Sequence, residues 1–105
     1  MKIKKEFFMK GRIAGTITDK NGNAMSGAAV QLFSNWDGAE KRTPALIKKG
    51  TTITDGSYAF SGLDVTGDGI TYTVYYLDGT DQYFVGQYTL TLSNTEQTGA
   101  DLKLS

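Results

Sequence analysis

The sequence predicts an all-β domain, folded as a seven-stranded β-sandwich with Greek-key topology. Thirteen glycines, together with many threonines and tyrosines, favour strands and turns. Several segments alternate apolar and polar residues with a period of two, and turn signals recur at intervals of about 8–12 residues. Helical periodicity is hard to find, since the best candidate, residues 39–49, is interrupted by Pro44.

The first strand is predicted over residues 12–18. Its small and apolar side chains alternate with polar ones, as in a strand that is buried on one face. The residues on the predicted inward face are Ile13, Gly15 and Ile17. Asn21-Gly22 ends this strand in a turn, because both residues tolerate a positive φ.

The second strand is predicted over residues 28–33, directly after Gly27, where we expect a bulge or an unusual φ. Its predicted inward residues are Ala28, Val30 and Leu32. Residues 34–38 are predicted to be a loop. Residues 39–50 then hold a short edge strand or a loop, because a proline cannot donate a hydrogen bond to a central ladder.

A tight hairpin is predicted where residues 51–54 and 58–61 flank the pair Asp55-Gly56. An Asp-Gly pair between two β-prone runs is a strong signal for such a turn. In this interpretation four side chains point into the core or close one end of it: Ile53, Tyr58, Phe60 and Leu63.

Two long strands and a closing segment complete the predicted sandwich. Residues 70–77 place four side chains on one face: Ile70, Tyr72, Val74 and Tyr76. Residues 83–92 form the longest predicted strand, and one face of it carries Phe84, Gly86, Tyr88, Leu90 and Leu92. The closing segment repeats the same alternation at Ala100, Leu102 and Leu104.

Composition restricts the chemistry that this chain can perform. Its 105 residues, about one domain, include no cysteine and no histidine, so it lacks thiols and the commonest general base and metal ligand. We predict that it is not an enzyme and uses no cofactor, because no base is available to orient a nucleophile. No run of residues is long and apolar enough for membrane insertion.

Charge is distributed unevenly although the net charge is zero. Residues 1–50 carry ten lysines and arginines against four acidic residues, whereas residues 51–105 carry one against seven. We interpret residues 1–10 as a flexible basic lead-in to a single domain at residues 11–105. Nucleic-acid binding is not expected, because the tyrosine-rich half of the chain is the acidic half.

The order of motifs resembles the carboxypeptidase regulatory-like domain. The segments "GTITDKNGNAMSGAAVQLF", "TTITDGSYAFSGL" and "YTVYY" carry the resemblance, which covers residues 11–104. The matching positions are Gly15, Ile17, Asp19, Gly22, Gly27, Ala28, Val30, Thr54, Asp55, Gly56, Tyr58, Phe60, Gly62, Leu63, Tyr72 and Val74. The chain departs from the pattern at Ala24 and Ser26, which stand where prolines are usual, and its Thr-Asp turn is two residues shorter.

The resemblance implies a transthyretin-like, or prealbumin-like, sandwich related to Cna B-type modules. It also implies a non-catalytic accessory module, of the kind found beside other domains in exported or cell-surface proteins. We therefore expect a structural or protein-interaction role, extracellular or at the cell surface, with neighbouring domains or a protein partner. Some Cna B-type modules carry a Lys–Asn isopeptide bond, which is not expected here because the first strand has no lysine and "YTVYY" has no acid.

Two kinds of binding site remain open. Exposed aromatic residues stack on sugars or mark interfaces, so carbohydrate binding is the alternative function, with three candidate residues: Trp36, Tyr75 and Tyr83. Loop carboxylates can bind calcium, although aspartate is also a favourable turn residue; the candidates are Asp64, Asp68, Asp78 and Asp81. An exposed edge strand also allows a homodimer or the addition of a partner strand.

Overall fold

The computed structural model describes residues 9–105 and confirms the predicted all-β sandwich. Within that range the chain forms eight strands and no helix. They are β1 (Gly11–Thr18), β2 (Ala29–Trp36), β3 (Lys41–Thr51), β4 (Ser57–Leu63), β5 (Ile70–Asp78), β6 (Asp81–Leu90), β7 (Glu96–Gln97) and β8 (Leu102–Lys103). The count exceeds the predicted seven because Glu96–Gln97 is a strand of its own.

The strands form two sheets of four. In one sheet β1 lies between β4 and the C-terminal strands, with β4 antiparallel and both β7 and β8 parallel to it. The other sheet has the order β3-β2-β5-β6, and every neighbouring pair in it is antiparallel. β3 and β6 are therefore the two edges of the second sheet.

The core lies between the sheets and comes from alternate positions of the long strands. The side chains that are almost completely buried are Tyr72, Ile13, Ile17, Leu32, Leu63, Ile70, Leu90, Val30 and Val74. Most of them were predicted from the two-residue alternation, which works here because one face of each strand meets the opposite sheet.

β1 is held along its length by the C-terminal segment. The amide of Arg12 donates to the carbonyl of Thr95 at 2.9 Å, and the amide of Ala100 donates to the carbonyl of Ala14 at 3.0 Å. Further along, the amide of Leu104 donates to the carbonyl of Thr18 at 2.9 Å. Gly15 permits this close approach, because a Cβ atom at this position would overlap the backbone of Ala100.

The predicted hairpin around Asp55-Gly56 is wrong. Residue Thr51 pairs with β2 in the second sheet, whereas Tyr58 pairs with Gly15 of β1 in the first. The turn therefore carries the chain from one sheet to the other. Ile53 lies at this crossing and is 62% exposed, so the prediction that it enters the core is also wrong.

The turn itself has the chemistry that the Asp-Gly pair predicts. Gly56 has a φ of 78°, which favours glycine, and a Cβ atom there would lie 2.8 Å from the carbonyl oxygen of Ile17. The hydroxyl and the amide of Ser57 both donate to the Asp55 carboxylate, which lowers the pKa of Asp55.

β2 and β3 are longer than predicted. Residues 34–36 continue β2 instead of forming a loop, because Ser34 is buried opposite Tyr72 and its hydroxyl accepts a hydrogen bond from the amide of Trp36 at 3.1 Å. The turn begins at Asp37, whose carboxylate accepts hydrogen bonds from the backbone amides of Ala39 and Glu40, both at 2.8 Å. β3 then forms the predicted edge strand, over eleven residues.

A β-bulge in β6 reverses the predicted direction of one aromatic side chain. Tyr75 pairs with Phe84 and Val74 pairs with Gly86, so Val85 is an extra residue in the ladder. The alternation changes phase at this point, and Phe84 lies on the outer face with 58% of its surface exposed. The prediction that Phe84 shares a face with Gly86 and the residues after it is therefore wrong.

Gly15→Ala is expected to lower the free energy of unfolding by at least about 2 kcal/mol, because the new methyl group must displace the backbone of Ala100. Urea unfolding measures the change. Gly22→Ala is the control: it has open space around the new methyl group and pays only for its φ of 83°, about 1 kcal/mol. Equal losses in the two variants would contradict the proposed clash.

Candidate functional site

The outer face of the second sheet carries a row of three aromatic side chains, one from each of three neighbouring strands. Phe33 of β2 meets Tyr75 of β5 with ring centroids 5.4 Å apart and an interplanar angle of 80°. Tyr75 meets Phe84 of β6 at 6.0 Å and 71°. We call Phe33, Tyr75 and Phe84 the aromatic row.

Uncharged polar side chains surround the aromatic row. A shallow depression of about 340 Å³ lies over it, lined by Phe33, Pro44, Thr73, Tyr75, Gln82, Phe84 and Gln87. The Gln82 amide donates to the Gln31 side-chain oxygen at 3.3 Å, and the Gln87 amide donates to the Thr73 hydroxyl at 3.4 Å. The surface therefore offers apolar area, amides and a hydroxyl, and the residues that line it carry no formal charge.

The three aromatic residues proposed from the sequence do not form one site. Tyr75 belongs to the aromatic row. Trp36 lies at the end of β2 and lines a separate depression of about 350 Å³ that also includes Tyr72 and Lys48. Tyr83 lies near the opposite end of the sheet, where its ring stacks on Tyr76 with centroids 5.7 Å apart.

Sequence reasoning missed two members of the aromatic row. Phe33 follows the inward residue Leu32, so the alternation predicts that its side chain points outward. The face on which Phe84 lies could not be predicted, because the bulge at Val85 leaves no recognisable signal in "YFVGQY".

The four aspartates considered for calcium separate into two pairs. Asp64 and Asp68 lie in the connection before β5, whereas Asp78 and Asp81 flank the turn after it. The Asp64 carboxylate accepts the Lys10 ammonium at 3.0 Å. Among residues 9–105 there is no group of three or more acidic side chains placed to hold a metal ion, and calcium binding at Asp64 and Asp68 stays a prediction.

The residues proposed as turn and core positions occupy such places. Gly22 and Gly27 have φ values of 83° and 72° in the connection between β1 and β2. Four of the residues proposed as core positions have buried side chains: Tyr58, Phe60, Leu63 and Tyr72. They support the sandwich and do not line the aromatic row.

Two buried phenols tie loops to the core. The Tyr58 hydroxyl donates to the carbonyl of Ala100 at 2.6 Å, and the Tyr72 hydroxyl donates to the carbonyl of Asp64 at 2.7 Å. Burial raises the pKa of Tyr58 above its usual range, with smaller contributions from Tyr88 and Asp101. Burial, followed by the Asp64 carboxylate, raises the pKa of Tyr72 to about 12. Both phenols are therefore neutral structural donors at ordinary pH.

No family model matches this sequence, and no curated protein matches it either. Among solved structures, the fold is similar to BcpA, the major pilin subunit of Bacillus cereus, with a TM-score of 0.57 and 14% identity over 90% of this chain. It is also similar to a streptococcal ancillary pilin, with a TM-score of 0.51 and 15% identity over 85% of this chain.

This chain spans less than a third of the pilin subunits that it matches, 29% of BcpA and 28% of the streptococcal ancillary pilin. A 9R-lipoxygenase from Cyanothece aligns with 98% of this chain at 12% identity, but its TM-score of 0.44 is too low to support an inference. The chain thus shares a β-sandwich fold with domains of pilin subunits. Within the described range, the structure contains no helix with the length and apolar character needed to cross a bilayer.

The free energy of unfolding is expected to fall as the pH rises from about 10, the pKa of an unfolded tyrosine, towards 12. The sign follows because the unfolded chain loses its phenolic protons first, so ionisation favours unfolding. Urea unfolding at several pH values measures the slope. Tyr72→Phe should flatten the slope, and the slope that remains comes from groups such as Tyr58, whose pKa is also raised by burial. An identical slope in wild type and Tyr72→Phe would refute this.

Proposed function

We propose that this chain is a structural, non-catalytic interaction module of a secreted or cell-surface protein. The observation that carries the proposal is the aromatic row, in which Phe84 is exposed and Phe33 and Tyr75 are half-buried, with no titratable group in its lining except the Tyr75 phenol. Aromatic residues are enriched at protein interfaces, where they bury large apolar areas with few rotatable bonds. Such a surface is suited to contact and does not supply a reacting group.

The likeness to pilin domains supports a role in assembly. The matched proteins are a major pilin subunit and an ancillary pilin, and this chain covers 29% and 28% of their lengths. The motif order of the carboxypeptidase regulatory-like domain supports the same class of role, an accessory module beside other domains. We therefore propose an extracellular location and a neighbouring domain or protein partner for the aromatic row.

Carbohydrate binding at the same surface is the second candidate. The glutamines and Thr73 around the aromatic row favour it, since amides and hydroxyls can hydrogen-bond to sugars without introducing charge. The ring geometry favours a protein partner instead. Neighbouring rings meet edge to face at 80° and 71°, so the row does not present its rings as one flat stacking platform.

Phe84→Ser is expected to weaken the association of the parent protein with its neighbours at least about fivefold, the effect of losing one exposed aromatic anchor from an interface. The measurement is the amount of assembled parent protein on intact cells, detected with an antibody against this domain. Ile53→Ser is the matched control, because Ile53 is also highly exposed, at 62%, but lies at the sheet crossing away from the row. Equal assembly in the two variants would contradict a contact role for the row.

Affinity electrophoresis of the purified domain in gels that contain soluble polysaccharides separates the two candidates. The protein-contact proposal expects no retardation of the wild type. Retardation that Phe84→Ser and Tyr75→Ala abolish, and that Trp36→Ala leaves unchanged, would establish carbohydrate binding at the aromatic row instead.

A further inference from the structure

We propose that copies of this chain associate head to tail, with β3 of one copy adding to β6 of the next and continuing the four-stranded sheet. This inference rests on the proposed role in assembly and names the partner as a second copy. Within residues 9–105, no strand pairs with the outer side of β3 or of β6. Each edge therefore presents backbone groups to solvent, as a template for another strand.

The strand directions permit this contact without any rotation between copies. Neighbouring strands of the second sheet are all antiparallel, so β3 and β5 run one way and β2 and β6 run the other. A copy placed beside β6 in the same orientation brings its own β3 there in the antiparallel direction. The ladder of the sheet then continues across the junction with the same pattern.

The outward backbone groups of β3 follow from its pairing with β2. The amide of Thr52 donates to the carbonyl of Ala28 at 2.9 Å, so Thr52 faces β2. Residues of an antiparallel strand alternate between the two sides, and the register of β3 is regular from Lys48 to Thr51. The N–H and C=O groups of Lys49 and Thr51 therefore point away from the sheet.

The outward groups of β6 follow from the turn that precedes it. Asp78 and Asp81 flank a two-residue turn, and Gly79 has a φ of 64°, as the first position of a type II′ turn requires. The two flanking residues form a hydrogen-bonded pair, so Asp81 faces β5. By alternation, the N–H and C=O groups of Gln82 and Phe84 point away from the sheet.

These two edges lie at the same level of the sheet. Lys49 pairs with Gln31, Gln31 with Tyr75, and Tyr75 with Phe84 across the four strands. In the same way Thr51 lies at the level of Gln82. Translation of one copy along this line places Lys49 opposite Phe84 and Thr51 opposite Gln82, and both pairs have outward hydrogen-bonding groups.

Charge favours this contact over the pairing of two identical edges. β3 carries four lysines and arginines and no acid. β6 begins at Asp81, Asp78 ends β5 on the other side of the turn, and neither β6 nor the turn carries a base. Two β3 edges would bring like charges together, which opposes their pairing. Lys49 opposite Phe84 instead lays its aliphatic stem over an aromatic ring that is 58% exposed in the single copy.

The other half of β3 is unsuited to pairing, which limits the contact to a short stretch. Pro44 has no N–H group, and the register of β3 with β2 shifts between Leu32 and Phe33 and again between Ser34 and Trp36. Only the stretch from Lys48 to Thr51 presents a regular edge. A contact of this size gives weak, concentration-dependent association of the isolated domain.

Two edge prolines test the arrangement by mixing. Lys49→Pro removes an outward N–H from β3, and Gln82→Pro removes one from β6, while neither loses a ladder bond within its own sheet. By analytical ultracentrifugation, wild type should self-associate, and each variant alone should do so at least about tenfold more weakly. An equimolar mixture should form a one-to-one dimer, because each variant keeps the edge that the other lacks.

Several results would overturn the proposal. Self-association of Gln82→Pro alone would indicate a symmetric contact through β3, and self-association of Lys49→Pro alone would indicate one through β6. Weak edge contacts are populated at about millimolar concentration. A wild type that stays monomeric there would exclude the head-to-tail contact and both symmetric contacts. Thr89→Pro is the matched control, because Thr89 also points outward on β6 but lies beyond the pairing stretch, and it should associate like wild type.

A side-chain test remains if a proline variant does not fold. Thr51→Lys/Gln82→Lys places like charges opposite each other across the junction, whereas Thr51→Lys/Gln82→Glu places opposite charges there. The second double variant should associate about fivefold more tightly than the first. Equal association would refute the register. A monomeric domain whose parent protein still requires Phe84 for assembly would refute this inference and leave the proposed function standing.

Discussion

The contact between β1 and the C-terminal segment is the constraint on which the sandwich depends. Gly15 lets the backbone of Ala100 approach β1, and the buried Tyr58 hydroxyl donates to the carbonyl of that same residue. A side chain on Gly15 would separate the two segments and leave both the Ala14 carbonyl and the Tyr58 hydroxyl without their partners. Because β1 also pairs with β4, this contact positions one whole face of the core.

The aromatic row is a product of how the second sheet is paired. Phe33 and Tyr75 face outward by simple alternation, and Phe84 joins them because it pairs directly with Tyr75. The bulge at Val85 then changes the phase of the rest of β6, so that Leu90 faces the core. A local irregularity of the ladder thus lets one strand serve both the outer surface and the core.

The fold could be predicted from the sequence because most strands obey one period. Ile13, Ile17 and Val30 are buried where the alternation puts them. The prediction failed where the outcome depends on distant pairing. Thr51 and Tyr58 belong to different sheets, and the same Asp-Gly turn can close a hairpin or connect two sheets. The candidate site was only partly predictable, since Tyr75 is visible as an outward aromatic but the phase of Phe84 depends on a bulge.

The parallel pairing of the first and last strands has a mechanical consequence. Tension applied at Gly11 and at Leu104 would act along the strand axis in opposite directions, because β1 and β8 run the same way. The backbone hydrogen bonds that join Arg12, Ala14 and Thr18 to the C-terminal segment would then be loaded together in shear, and they would have to break together and not in sequence. Resistance to pulling is set by the rate of unfolding under load, so this geometry suits a domain that transmits force between its two ends.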